Sequence, residues 1–275
     1  MKLPEDFPLT VEAFACDLDR TLISEDAQVH PRTRAAVRAA REEGIHVIVV
    51  TGRMFRSVRP YLEALQLDDP VVCYQGAVVA RADGEFLRHV PIPLELAREA
   101  IAAVTETGHH LNCYVDDELY VAEVNDEARA YADFQHIPLN AVGDLLEWLS
   151  KPPTKLVSVG ERHEMDELEA SLKARFDGRL YISKSLPEFV ELASPEVTKA
   201  AGLAFVADRL GFSLERTVAC GDGENDVELL QSAGYAVAVE NAHERVLAVA
   251  DLVVPRDSEE GVAQMIEAHL DTLRA

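Results

Sequence analysis

Val11-Glu12-Ala13-Phe14-Ala15-Cys16-Asp17-Leu18-Asp19-Arg20-Thr21 is the stretch that decides the fold. A short apolar run passes without a break into two carboxylates two positions apart. Runs of this length bounded by polar signals read as strands buried on both faces. A polar cluster on the carboxyl end of such a strand is where an open parallel sheet keeps its ligands.

The pattern repeats outward from this strand. Pro31 opens a helix carrying Ala36, Val37 and Ala40 at helical spacing, and Gly44 ends it, so Pro and Gly stand at the ends each favours. The β-branched run Ile45-His46-Val47-Ile48-Val49-Val50 follows and stops at Thr51-Gly52-Arg53. A helix over Phe55 to Leu65 then leads to the strand Val71-Val72-Cys73-Tyr74. The alternation resumes with a helix over Val197 to Leu210, the strand Thr217-Val218-Ala219-Cys220, a helix from Glu224, the strand Ala236-Val237-Ala238-Val239 and a last helix over Glu260 to Leu270. Strand and helix in alternation predict a parallel, doubly wound sheet. Between the halves come longer amphipathic helices (Leu94 to Thr105, Glu161 to Ala174) and short strands such as Leu119-Tyr120-Val121. The expected organisation is a core of residues 1–83 and 188–275, interrupted by an inserted α+β domain at 84–187.

Composition narrows the functional classes. Of the 275 residues, 48% are hydrophobic and 27% charged, as in a packed globular enzyme. Acidic side chains outnumber basic ones 49 to 26, and the formal net charge of −23 repels nucleic acid and anionic membrane surfaces. That field repels phosphate esters as well, so a phosphate site here needs local positive charge from a metal, a placed Lys or backbone amides. Cys16, Cys73, Cys113 and Cys220 are scattered, which argues against a zinc site or disulfide framework and fits a reducing cytoplasm. No apolar run reaches the ~18 residues of a membrane span, and no export signal is visible at the start.

Three polar clusters each end an apolar strand: Asp17/Asp19, Thr51-Gly52-Arg53 and Gly221-Asp222-Gly223-Glu224-Asn225-Asp226. An isolated Asp-x-Asp is usually a solvated turn, and Gly-Asp-Gly is a common turn as well. Three such clusters at strand ends predict one shared crevice. Like charges ~5 Å apart at an effective dielectric near 20 repel by about 3 kcal/mol, so the carboxylates require a cation or protons. Oxygen donors without His or Cys point to Mg²⁺.

With Lys199 added, these motifs resemble the haloacid dehalogenase-like superfamily, and within it the Cof-type sugar-phosphate phosphatases. Asn241-Ala242, Ala250-Asp251 and Glu260-Gly261-Val262-Ala263 strengthen the likeness. The resemblance implies an α/β fold with a Rossmann-like doubly wound core and an inserted α+β cap domain. It implies Asp17 as nucleophile, Asp19 as general acid and base, and Thr51 and Lys199 as partners of the transferring phosphoryl group. Gly52, Arg53 and Asn225 would bind or position phosphate, and Mg²⁺ would be held by Asp17, the Asp19 carbonyl and Asp222, with Asp226 acting through water or the outer shell. The expected partner is a small phosphorylated metabolite, and the expected assembly a monomer or small homo-oligomer. A phosphosugar mutase using Asp17, or a phospho-ligand-binding protein that kept the fold, are the competing readings. Two departures stand out: Arg20 where the family has Gly, and Gln75-Gly76-Ala77 where the subfamily has Asn-Gly-Ala.

Four further features have simpler readings. Lys184 and Ser185 read equally as substrate contacts or as a polar turn, His109-His110 as a surface pair at a helix end, and Trp148 as packing in the inserted domain.

Overall fold

The computed structural model describes residues 1–274, with the Ser185 side chain outside the described set. Two compact units are present: residues Met1–Gly52, Val58–Leu87 and Thr198 onward form one, and Arg53–Ser57 with Arg88–Val197 form the other.

The first unit is built on a parallel five-stranded sheet in the order Leu252–Val254, Tyr235–Val239, Thr217–Gly221, Ala13–Cys16, His46–Val49. A parallel bridge from Val50 to Val72 continues it toward Val71–Cys73. The central strands are buried along their length, as their unbroken apolar runs require. Register is what matters for the site. Cys16 lies opposite both Cys220 and Val49, so the residues that follow each strand leave the sheet side by side.

Local chemistry sets the flanking helices. The helix Pro31–Glu42 has Pro at its start, buries Thr33, Ala36, Val37 and Ala40, and ends before Gly44 at φ +80°. Its Thr33 amide and hydroxyl both donate to Glu260 at 2.9 Å, tying it to the C-terminal helix Gly261–Arg274. The helix Lys199–Leu210 is capped by the Thr198 side chain, which accepts from the Ala201 amide at 3.0 Å, and stops at Gly211 in the left-handed region. Its first turn presses on the Tyr74–Gly76 turn: a Cβ on Gly76 would lie 2.0 Å from the Thr198 carbonyl oxygen.

The second unit holds a six-stranded sheet in the order Tyr181–Leu186, Phe189–Ala193, Lys155–Val159, His110–Val115, Glu118–Val121, Leu139–Ala141. One face presents Leu111, Cys113, Leu156, Val190 and Leu192 to a core that also takes in Ile101, Val104, Leu168, Leu172 and Phe176. Leu145 and Leu149 belong to that core and Trp148 packs against it, as read from the sequence. The alternate strand positions turn Asn112, Tyr114, Lys155 and Glu191 the other way. There Tyr114 donates to the Tyr131 hydroxyl at 2.7 Å, and buried Lys155 lies 3.3 Å from Glu191. Asp117, in the hairpin turn after Val115, accepts from the Phe55 and Arg56 amides at 3.1 and 2.9 Å. Lys184 is paired with Asp166 in this unit. His110 opens a strand, half-buried, rather than ending a helix, because it enters the antiparallel ladder opposite Val159. Among the described residues no helix is long and apolar enough to cross a membrane.

Gly76→Ala should lower stability by about 2 kcal/mol or more, since a Cβ there meets backbone and the φ of +103° is strained for any side chain. Thermal unfolding followed by circular dichroism measures this.

Candidate active site

The site is assembled from four loops of the first unit. Asp17 follows its strand directly, with its amide donating to the Cys220 carbonyl at 2.9 Å. Leu18 then accepts at its carbonyl from the Leu22 and Ile23 amides, which folds the chain back after Asp19. Asp17 is buried and Asp19 half-buried.

On the neighbouring strand, Gly221 leads into a tight turn closed by Asp226. One Asp226 oxygen, Oδ2, accepts from the amides of Asp222 and Gly223 at 3.0 and 2.9 Å. A Cβ on Gly221 would lie 2.5 Å from that of Asp226, so the closure demands glycine there. The other oxygen, Oδ1, accepts from Lys199 Nζ at 2.6 Å, and the same ammonium lies 2.5 Å from Asp17 Oδ1. Lys199 is 3% exposed and bridges two carboxylates.

Asp222 is held from three sides. Its Oδ1 accepts from the Thr21 hydroxyl at 3.2 Å, its carbonyl from the His243 amide at 2.8 Å, and Arg20 Nη1 lies 3.6 Å from its Oδ2. Thr51 is buried, its amide donating to Val72 and its carbonyl accepting from Gln75. Gln75 is a contributor that the motif reading marked only as a departure. Its Oε1 accepts from Asn225 Nδ2 at 3.0 Å, and its side chain lies where a Cβ on Gly52 would fall. It therefore links the Gly52 and Asn225 clusters. Arg53, half-buried, is grouped with the second unit.

The electrostatics follow from burial. Asp17 is pushed well above the usual carboxylate range, chiefly by desolvation, with Lys199 opposing and Asp226, Asp222 and Asp19 adding. Asp222 is pushed up to about 7 by desolvation and by Asp226, against the pull of Arg20 and Lys199. For Lys199, desolvation favours the neutral amine, but Asp17 and Asp226 outweigh it and hold the ammonium. Protonation of Asp17 and Asp222 is what excess buried negative charge produces when no further cation offsets it.

The donor set fits such a cation. Oxygens of Asp17, Asp222 and Asp226 lie within 4.8 Å of one another, all three residues buried. Both Asp226 oxygens are taken, by Lys199 and by two amides, whereas Asp17 and Asp222 each commit one oxygen to a hydrogen bond, so Asp17 and Asp222 are the side chains placed to ligate directly, with Asp226 bracing them. Hard oxygen donors of this kind suit a small divalent cation.

Comparison with known proteins shows the family to which the chain belongs. A family model for haloacid dehalogenase-like hydrolases matches residues 14–266. The 5-amino-6-(5-phospho-D-ribitylamino)uracil phosphatase YitU of Bacillus subtilis is 27% identical over 262 residues, covering 93% of this chain and 96% of its own. The pyridoxal phosphate phosphatase YbhA of Escherichia coli is 28% identical over 271 residues, covering 95% and 100%. Among solved structures, a haloacid dehalogenase-like hydrolase from Bacteroides thetaiotaomicron superposes with a TM-score of 0.86 at 24% identity, covering 94% of this chain and 98% of its own. From the first strand to the C-terminal helix, the chain belongs to the haloacid dehalogenase-like hydrolases.

Proposed function

We propose that this chain is a magnesium-dependent phosphatase that hydrolyses small phosphomonoesters, sugar and sugar-alcohol phosphates first, through a phosphorylated Asp17. The observation that carries the reading is the buried Asp17 carboxylate held against Lys199 beside Asp222 and Asp226. Family and relatives support it: the chain is a phosphatase hydrolase of the haloacid dehalogenase-like family. The relatives named above act on a ribitylamino-uracil phosphate and on pyridoxal phosphate, two small esters with unlike leaving groups.

In the first step an Asp17 oxygen forms a bond to phosphorus while the bond to the ester oxygen breaks, and Asp19 gives that oxygen its proton. In the second, Asp19 takes a proton from water as the water oxygen attacks phosphorus. The Asp17–phosphorus bond breaks, and inorganic phosphate leaves. Lys199 offsets charge beside the nucleophile throughout, and Thr51 hydrogen-bonds the transferring group. Asn225, steadied by Gln75, positions ligands from the opposite loop. Asp17 and Asp222 would hold Mg²⁺, whose positive charge would keep both ionised and offset that of the phosphate.

Purified protein with Mg²⁺ should release inorganic phosphate from p-nitrophenyl phosphate, and EDTA should abolish the release. Asp17→Asn should lower kcat by about 10³-fold or more, while Asp19→Ala should leave phosphorylated protein visible by intact mass. Full-rate turnover by Asp17→Asn would refute the nucleophile, and return of phosphate to a second sugar hydroxyl would mark a mutase.

A pH dependence follows from Asp222. Its folded pKa, about 7, lies above the ordinary 3.8, so between these values the folded state binds more protons than the unfolded chain. This contribution therefore makes the metal-free protein less stable as pH rises from about 4 to about 7. Asp222→Asn should flatten the decline in melting temperature across that window, measured in EDTA. An unchanged slope would show that Asp222 titrates normally.

A further inference from the structure

Arg20 occupies a position where the chain could have avoided a cost. Its φ is +55°, in the left-handed region that a side chain as large as arginine enters only under constraint. Glycine would sit there without strain. The contacts made in return are few and electrostatic. Nη1 lies 3.6 Å from Asp222 Oδ2, Nη2 donates to the Asn241 carbonyl at 3.4 Å, and Nε lies 3.8 Å from Glu25. Asp222 Oδ1 already accepts from Thr21, so Oδ2 is the oxygen left to Arg20.

We propose that Arg20 is a positioning residue that occupies Asp222 in the manner of a resident counter-cation, so that a divalent ion must compete with it and binds more weakly than it would to the same loop carrying glycine. The inference rests on reading Asp17 and Asp222 as metal-ligating side chains. Two fixed facts support the competition. The Asp222 side chain is buried and held at Oδ1 by the Thr21 hydroxyl, and its backbone carbonyl is held by the His243 amide. Arg20 is not so confined. Its side chain is 43% exposed and borders a cavity of about 390 Å³ lined also by Ser24, Glu25, His30 and Asn241, with Glu25 already close to Nε. The guanidinium therefore has both room and a second carboxylate to move toward when Asp222 takes another cation. Its half-exposure also limits the effect, because solvent screens the repulsion between guanidinium and ion.

The test is metal affinity measured directly. Mn²⁺ binding is followed by the loss of its free-ion electron paramagnetic resonance signal, and Mg²⁺ binding by calorimetry, on the wild type and on Arg20→Gln, Arg20→Gly and Arg20→Lys. Arg20→Gln removes the charge but keeps the length and the strained backbone. Arg20→Gly removes both charge and strain. Arg20→Lys keeps the charge. At low ionic strength the Gln and Gly variants should bind either ion about tenfold more tightly than the wild type, and the Lys variant within about twofold of it. The gap should narrow at 1 M salt, where the screening length falls to about 3 Å. A merely structural role predicts the opposite sign, since loosening Asp222 would weaken binding. Equal or weaker binding by both Gln and Gly variants, with ordinary binding by the wild type, overturns this inference and leaves the metal site standing. Absence of binding by the wild type itself overturns the metal reading and this inference with it.

Discussion

The ammonium of Lys199, buried between Asp17 and Asp226, is the interaction on which the rest of the site depends. Removing three charges from water costs several kcal/mol per ion, and their attraction repays this only where geometry is close and the remaining polar atoms are satisfied. The first unit meets both conditions. Contacts of 2.5 and 2.6 Å supply the geometry. The second Asp226 oxygen is satisfied by two loop amides. Lys199 can reach the pair because Thr198 caps its helix and because Gly76 and Gly202 let that helix start lie against the turn after Val71–Cys73. Small residues at two places thus set the position of one charge.

The triad leaves net negative charge behind, and this links folding to chemistry. Thr21 and Arg20 approach Asp222 from the loop after the first strand, so one loop carries both Asp17 and the groups that steady Asp222. On the other side, Gln75 takes up a positive φ of 59° to place its amide between Gly52 and Asn225. Strained backbone at Arg20, Tyr74 and Gln75 lies in loops that surround the cluster, while the strands that carry the clusters are regular. Rigid strands and strained loops divide the work of positioning.

Much of this was legible in the linear pattern. The helix expected over Phe55 to Leu65 spans Phe55–Leu65, and the strand runs before Asp17, Thr51 and Asp222 all appear, because apolar periodicity with Pro and Gly at the ends is a local signal. The helix expected from Glu224 differs. Glu224–Asp226 form a tight 3₁₀ turn, and the α-helix begins only at Val227, because the Asp226 side chain draws the Asp222 and Gly223 amides inward. No propensity scale reports a side chain closing its own loop. Likewise Lys199 reads locally as a helix-start lysine facing water, and only its contacts show otherwise.

Residue order alone showed carboxylates at strand ends without soft ligands, in a chain with a large acidic excess. It also determined that these residues follow strands of a parallel sheet. Which of them meet was decided only by tertiary structure. Lys199 and Asp17 are 182 residues apart, Thr21 and Asp222 are 201 apart, and Asn225 and Gln75 are 150 apart. Residue spacing carries no information about such pairs. They are set by the register that places Cys16 opposite Cys220 and Val49, and by the close packing of the Thr198–Lys199 helix start on the Tyr74–Gly76 turn. Arg20 shows the division most clearly: its identity was visible as a departure, but its partner Asp222 was not, because a backbone turned to positive φ aims a side chain where extended chain would not.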